Sequence, residues 1–151
     1  MNTTVTAVGL RVSLGEDARV SVAHDASAPW TLRAHPAPAP IGGWCVLELT
    51  RKAATLDQLT AQESQEFGLI LSIVSAAVRE ATKCERTYVT CFAEAYRQVH
   101  AHIAPRHESD ARTQGWSVAD LYRQVQSGST APADQAAHEK TFQLITQLVS
   151  A

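Results

Sequence analysis

The chain has 151 residues, enough for one domain that buries its own core without disulfide or metal staples. Its 45% hydrophobic and 19% charged residues give the balance of a globular protein and exclude a disordered one. Thirteen basic residues against fifteen acidic leave a net charge of -2, so no basic excess draws it to nucleic acid or to an anionic membrane by charge alone.

The opening MNTTVTAVGL lacks a cationic stretch followed by an apolar core, and no signal peptide is expected from it. No apolar run has the length to span a bilayer. Residues 1–35 favour strands: RVSVAHD (19–25) and WTLRAH (30–35) are separated by the turn-like Ala26-Ser27-Ala28-Pro29. In HPAPAPIGG (35–43) the alternating prolines favour an extended loop, and Gly42-Gly43 leaves it free to turn. GWCVLEL (43–49) alternates faces and predicts a strand.

Thr60-Ala61-Gln62-Glu63 is a capping box, in which the Thr hydroxyl and the Glu carboxylate satisfy opposite backbone donors. Behind it Phe67, Ile70, Leu71, Val74, Ala77, Val78 and Ala81 recur at three- and four-residue spacing, which predicts a long helix with one apolar face lying on a sheet. TYVTCFA (87–93) and QVHAHIA (98–104) predict two more strands, with Glu94-Ala95-Tyr96-Arg97 as a hairpin link. Ser117 begins a short helix with Asp120 in the reciprocal capping position. QSGSTAPA (126–133) is a linker, and 134–149 predict a final amphipathic helix carrying Ala137, Phe142, Ile145, Leu148 and Val149. The division expected is a domain over 1–126 and, over 127–151, a linker with an appended helix available to dock on a second copy of the chain.

Cys45, Cys84 and Cys91 are odd in number and not spaced as zinc ligands. Cys45 and Cys91 fall in apolar stretches and read as small core residues, in keeping with a reducing, cytoplasmic setting. Trp30 and Trp44 read as core or pocket-wall aromatics, and Arg106 as a residue that holds a strand end. His24, His35 and His138 read as surface or loop histidines, with His35, at the mouth of the proline loop, the one outside candidate for a site.

QVHAHIAPR (98–106) is where chemistry concentrates. In a strand, Gln98, His100, His102 and Ala104 share one face, while the apolar Val99, Ala101 and Ile103 share the other and pack under the long helix. Two imidazoles then stand roughly 7 Å apart on the open face. Three readings fit that pair: histidines on a solvated sheet face, a metal site with His107 or Glu94 as a further ligand, or nucleophilic catalysis. In the third, a neutral imidazole attacks phosphorus while a second protonable group beside it stabilises charge.

The strand ends in Pro105-Arg106, follows Tyr-Val-x-x-Phe-x-Glu, and lies downstream of a Gly-Trp strand and a capped helix. In that order the chain resembles the histidine triad superfamily of nucleotide-binding hydrolases and transferases. The resemblance runs from about Pro29 to Arg106, through GGWCVLELTRKAATLDQLTAQESQEFGLIL and YVTCFAEAYRQVHAHIAPR, with Trp116 to Tyr122 fitting more loosely. It implies an α+β fold with a five-stranded antiparallel sheet and helices packed on it, paired into a homodimer. It also implies a mechanism, in which the middle histidine of the motif attacks the α-phosphate of a nucleotide and water hydrolyses the resulting nucleotidyl-histidine. Aligned on Pro105-Arg106, His100 takes the middle position and His102 the last, on the phosphate or leaving-group side.

Glu94 falls where many members have a Gln near the phosphate, and a carboxylate there repels one. Two departures concern the supporting residues. The first histidine of the motif is Gln98, which can donate a hydrogen bond but carries no proton at neutral pH. Many members have Lys-Arg-His after the preceding strand, and Lys52 of Thr50-Arg51-Lys52 replaces that histidine with a different acid. The resemblance thus implies a nucleotide hydrolase or nucleotidyl transferase with His100 and His102 as catalytic residues and Trp44, Lys52, Glu94 and Gln98 against the substrate. The alternatives are a regulator of the same fold that binds a nucleotide or a protein partner without hydrolysis, and a metal-dependent protein using His100 and His102. The expected ligand is a nucleotide or nucleotide-like small molecule, with no cofactor and with neither nucleic acid nor membrane as partner.

Overall fold

A computed structural model describes residues 30–151 and, within the first 29, the backbone of three short strands. The strands are β1 (Thr3–Val5), β2 (Arg11–Leu14), β3 (Val20–Ala23), β4 (Trp30–Ala34), β5 (Cys45–Leu49), β6 (Arg86–Thr90) and β7 (His100–Arg106). All neighbouring pairs are antiparallel, in the order β1-β2-β3-β4-β5-β7-β6. The expected count of five strands is not met. Residues 30–106 supply four, β4-β5-β7-β6, and the N-terminal strands continue the sheet past β4. Pairing there covers an edge of β4 whose backbone groups would otherwise stand open.

The long helix α1 (Ala61–Thr82) starts at the capping box: Glu63 N–H donates to Thr60 Oγ1 at 3.1 Å and Thr60 N–H to Glu63 Oε2 at 2.8 Å. Its buried Ile70, Val74, Ala77 and Val78 belong to one core with Cys45, Leu47 and Leu49 of β5 and Ala101 and Ile103 of β7. Phe67 stacks on Trp30 with ring centroids 4.8 Å apart. Each fully buried aliphatic here contributes about 1.5–3 kcal/mol of transfer free energy, so this face fixes which side of β5 and β7 is inner. The opposite side, carrying His100 and His102, is left for other uses.

Part of that opposite side is closed by α2 (Ser117–Gln126), whose Val118, Leu121 and Val125 pack with Ile41, Trp44 and Ala104 in a second cluster. The expected cap from Ser117 and Asp120 does not form. Trp116 holds the N-cap position without a side-chain bond, and Asp120 accepts from Arg123 Nη1 at 2.7 Å one turn on.

The connector between β6 and β7 runs over Cys91–Val99, longer than the expected hairpin link, and Cys91 is exposed instead of part of the core. The cause is visible at Gln98. Its Nε2 donates to the carbonyls of Leu49 (2.6 Å) and Arg51 (2.7 Å), and its Oε1 accepts from Ala53 N–H at 3.3 Å. Gln98 is therefore bound to the chain leaving β5, and β7 begins two residues later than expected.

The helix α3 (Gln135–Val149) is not an appendage. Asp134 caps it by accepting from Ala137 N–H at 2.8 Å, and Phe142, Ile145 and Val149 belong to the main core beside α1. The polar stretch before it is tied down too, with Ala133 N–H donating to the Ala39 carbonyl at 2.8 Å. A polar linker says nothing about where the apolar stripe beyond it packs. Phe142 is 5% exposed, so Phe142→Ala is expected to cost about 3–5 kcal/mol in the unfolding free energy measured by urea denaturation. A cost under about 1 kcal/mol would mean that α3 is detachable.

Candidate active site

Pairing with β5 and β6 fixes the positions of both histidines. His100 lies opposite Glu48, and His102 lies between Val46 on one side and Thr90 on the other. Alternation along β7 sends Ala101 and Ile103 into the core and holds the two imidazoles on the open face, with ring centroids 5.3 Å apart.

Each ring has one nitrogen committed to a neighbour that can act in only one sense. His100 Nδ1 lies 2.7 Å from the Gln98 carbonyl, which only accepts, so in the neutral ring the proton sits on Nδ1 and the lone pair on Nε2. His102 Nδ1 lies 3.0 Å from Trp44 Nε1, an indole N–H that only donates, so His102 carries its proton on Nε2. Two residues apart on one strand, the imidazoles are thus set in opposite tautomers. Burial, followed by the charges of His35, His100 and Arg33, lowers the His102 pKa to about 4. His102 is therefore a neutral hydrogen-bond donor across the physiological range.

The histidines stand at the wall of a cavity of about 680 Å3 bounded by β6, β7, the 91–99 connector and α2. Its lining is largely aromatic: Trp44, Phe92, Tyr96, Trp116 and Tyr122, with Trp116 82% exposed at the rim. Of the residues singled out from the sequence, His100, His102, Trp44 and Glu94 meet at this cavity. Gln98 and Lys52 do not line it. The Gln98 amide is taken up by backbone of residues 49–53, and Lys52 is exposed on the chain that follows β5. Among the described residues no three His, Cys, Asp or Glu side chains come together as a metal-binding group.

Sequence reasoning missed Tyr96, Phe92, Trp116 and Tyr122, because isolated aromatics in loops and on a short helix carry no periodic signal. Tyr96 also walls a second, more polar cavity of about 640 Å3, and its hydroxyl donates to Glu48 at 2.6 Å. His35 and His138 are buried, at 4% and 0% exposure, contrary to the surface reading; His24 lies outside the described residues. The His35 ring lies 5.7 Å from that of His102 and 5.5 Å from Trp44. Burial, outweighing its bond to the Pro36 carbonyl, lowers its pKa to about 4.

The two lowered values set a pH dependence. An unfolded imidazole titrates near 6.5 and these two near 4 when folded, so the unfolded state binds more protons between those limits. Their contribution is complete above pH 6.5 and is lost as pH falls toward 4. Urea denaturation at steps from pH 6.5 to 4.5 should show stability falling, with roughly two protons taken up on unfolding near pH 5. A stability independent of pH in that window would contradict neutral, buried rings at 35 and 102.

No protein-family model matches the sequence, and no curated protein does. Solved structures do match. A histidine triad protein from Sinorhizobium meliloti 1021 is 20% identical with a TM-score of 0.60, covering 79% of this chain and 82% of its own. One from Bradyrhizobium japonicum is 19% identical with a TM-score of 0.61, over 91% of this chain and 98% of its own. A hypothetical histidine triad nucleotide-binding protein from Sulfolobus tokodaii strain7 is 11% identical with a TM-score of 0.59, over 80% and 78%. Identities this low speak to backbone architecture alone, and there they agree with the motif in β7: the chain has the histidine triad fold.

Proposed function

We propose that the chain is a nucleotide hydrolase or nucleotidyl transferase that forms a nucleotidyl-histidine on His100, acting on a phosphoester, phosphoramidate or phosphoanhydride bond. The observation that carries this reading is the pair of ring contacts, His100 Nδ1 to the Gln98 carbonyl and His102 Nδ1 to the Trp44 indole N–H, which in the neutral rings leave a lone pair on His100 Nε2 and an N–H on His102 Nε2. The fold shared with a hypothetical histidine triad nucleotide-binding protein of Sulfolobus tokodaii strain7 supports a nucleotide as the ligand.

The chemistry follows from those two atoms. The His100 Nε2 lone pair attacks phosphorus, a P–N bond forms, and the leaving group departs with the electrons of its own bond and takes a proton from solvent. The ring becomes cationic, and the Nδ1–H donated to the Gln98 carbonyl stabilises that charge. His102, too weak a base to arrive protonated, donates a hydrogen bond to a phosphoryl oxygen and does not serve as a proton source. Water then attacks phosphorus and gives up its proton to solvent, the P–N electrons return to His100 Nε2, and the nucleotide leaves. Glu94 on the cavity wall favours a substrate of low charge. The protein is proposed to act in the cytoplasm as a homodimer, with β6 at the sheet edge and its half-exposed Val89 the strand available for pairing. No helix among the described residues is long and apolar enough to cross a membrane.

A second reading, a regulator that binds a nucleotide or a protein partner without turnover, also has an observation behind it. Among the described residues of the lining, Arg123 is the only Lys or Arg, and Asp120 holds it at 2.7 Å. Lys52 supplies no charge there.

Turnover of adenosine phosphoramidate and of a dinucleoside polyphosphate separates the readings. His100→Ala is expected to lower kcat at least about 1,000-fold and to abolish an acid-trapped nucleotidyl adduct, whereas Trp44→Phe, which keeps the nucleophile, should cost about tenfold. Nucleotide binding without turnover in the unaltered protein would favour the regulator. Neither binding nor turnover would overturn both.

A further inference from the structure

Among the described residues His138 is the most deeply buried histidine, yet it lies on α3, outside the cavity lining. Its two ring nitrogens reach both ends of the β4–β5 loop. Nδ1 accepts from Gly43 N–H at 3.1 Å, across 95 residues of sequence, and Nε2 lies 3.0 Å from the His35 carbonyl, across 103. A backbone N–H only donates and a carbonyl only accepts, so a single neutral tautomer, protonated on Nε2, makes both bonds. Between the same ends His35 N–H donates to the Trp44 carbonyl at 2.9 Å. The imidazole thus clasps a loop already pinched at its base.

What hangs from that clasp is the residue that orients His102. Trp44 follows Gly43 directly, and its indole N–H is the donor to His102 Nδ1. The helices close on the same point. Gly43 has φ +85, and a Cβ there would come within 2.5 Å of Thr82 Cγ2 of α1 and 3.2 Å of Thr141 Cγ2 of α3. Without the imidazole, one backbone donor and one backbone acceptor would stay buried with nothing to bond, and the loop would have to move to satisfy them. An indole swings with its backbone, and a hydrogen bond of 3.0 Å tolerates little such motion.

We infer that His138 is a positioning residue for the site: by holding Gly43 and His35 it fixes Trp44, and through Trp44 it keeps the His102 proton on Nε2. A purely structural role predicts a less stable protein with an unchanged His102; the positioning role predicts a change at His102 that runs through Trp44 alone.

The test uses the full chain and nitrogen-15 NMR of the histidine rings and the Trp44 indole, with thermal melts to establish that each variant is folded. His138→Phe keeps the ring volume and removes both bonds. It should raise hydrogen exchange of the Trp44 indole N–H on the order of tenfold and turn His102 from one tautomer into a mixture. His138→Asn, which retains an acceptor for Gly43 N–H, should restore part of both signals. In a Trp44→Phe background His138→Phe should leave the His102 nitrogen shifts where Trp44→Phe alone puts them. Wild-type indole exchange and His102 shifts in folded His138→Phe would overturn the inference, as would a further His102 change in the Trp44→Phe background. Should His138→Phe fail to fold, His138→Asn is decisive: indole exchange between wild type and unfolded chain supports the role, and wild-type exchange overturns it. None of these readings depends on turnover, so a chain that hydrolyses nothing tests the positioning role equally well.

Discussion

The register of β7 against β5 is the constraint on which the site depends. A strand that buries one face cannot slip by a single residue without exchanging its faces, and here the exchange would drive His100 and His102 under α1 and expose Ala101 and Ile103. The register is held at its start by the Gln98 amide, which bonds backbone of residues 49, 51 and 53, and along its length by the fit of Ala101 and Ile103 beneath Ile70, Val74 and Val78. Core packing and site geometry are thus set by one alignment. That alignment also sets the Gln98 carbonyl 2.7 Å from His100 Nδ1, so a backbone feature decides which nitrogen of the candidate nucleophile is free.

From that point outward the site is built of groups that can each act in only one sense. A carbonyl accepts, an indole N–H donates, and imidazoles between them have no choice of tautomer. At a position as buried as His100, which is 9% exposed, this matters more than it would in water, because a misplaced proton leaves a donor or an acceptor unmet. Burial of His102 acts in the same direction, keeping it neutral so that its Nε2–H remains a donor and adds no positive charge beside His100. The aromatic walls therefore serve the electrostatics as well as the shape.

Local and periodic features of this fold were legible in the sequence. The Thr60–Glu63 capping box, the apolar spacing behind it, and the alternation that splits His100 and His102 from Ala101 and Ile103 all depend on residues close together in the chain, and all stand in the structure. What failed depends on partners far away. Gln98 looked like a fourth member of the open face, but bonds across 45 to 49 residues pull its side chain toward the end of β5. His138 looked like a surface histidine on a detached helix, although an amphipathic stripe does not tell which surface it will cover. The cavity walls were illegible for a related reason: Phe92, Tyr96 and Trp116 are brought together by the 91–99 connector and the start of α2, neither of which has a repeating pattern. Five strands were expected from resemblance alone, whereas residues 30–106 supply four and the three N-terminal strands bring the sheet to seven.

Gln98 shows why a departure from a motif need not be a loss. Read as a replaced histidine, it looks like the removal of an acid from a catalytic set. In the fold it is a joint that satisfies two carbonyls and one N–H where the chain leaves β5. An amide has two donor hydrogens and an acceptor oxygen and can serve all three; a neutral imidazole has one donor and one acceptor and would leave a carbonyl unserved. At a buried position such an orphan costs about 1–3 kcal/mol, enough to loosen the backbone whose carbonyl orients His100. Glutamine is thus the better residue for holding that carbonyl in place, and its presence is compatible with a working His100 as long as no proton has to pass through residue 98. Lys52 has no comparable account, since nothing in the structure links its exposed side chain to the cavity. Of the two departures, then, the one inside the motif is explained by backbone chemistry, and only the one outside it weakens the case for catalysis.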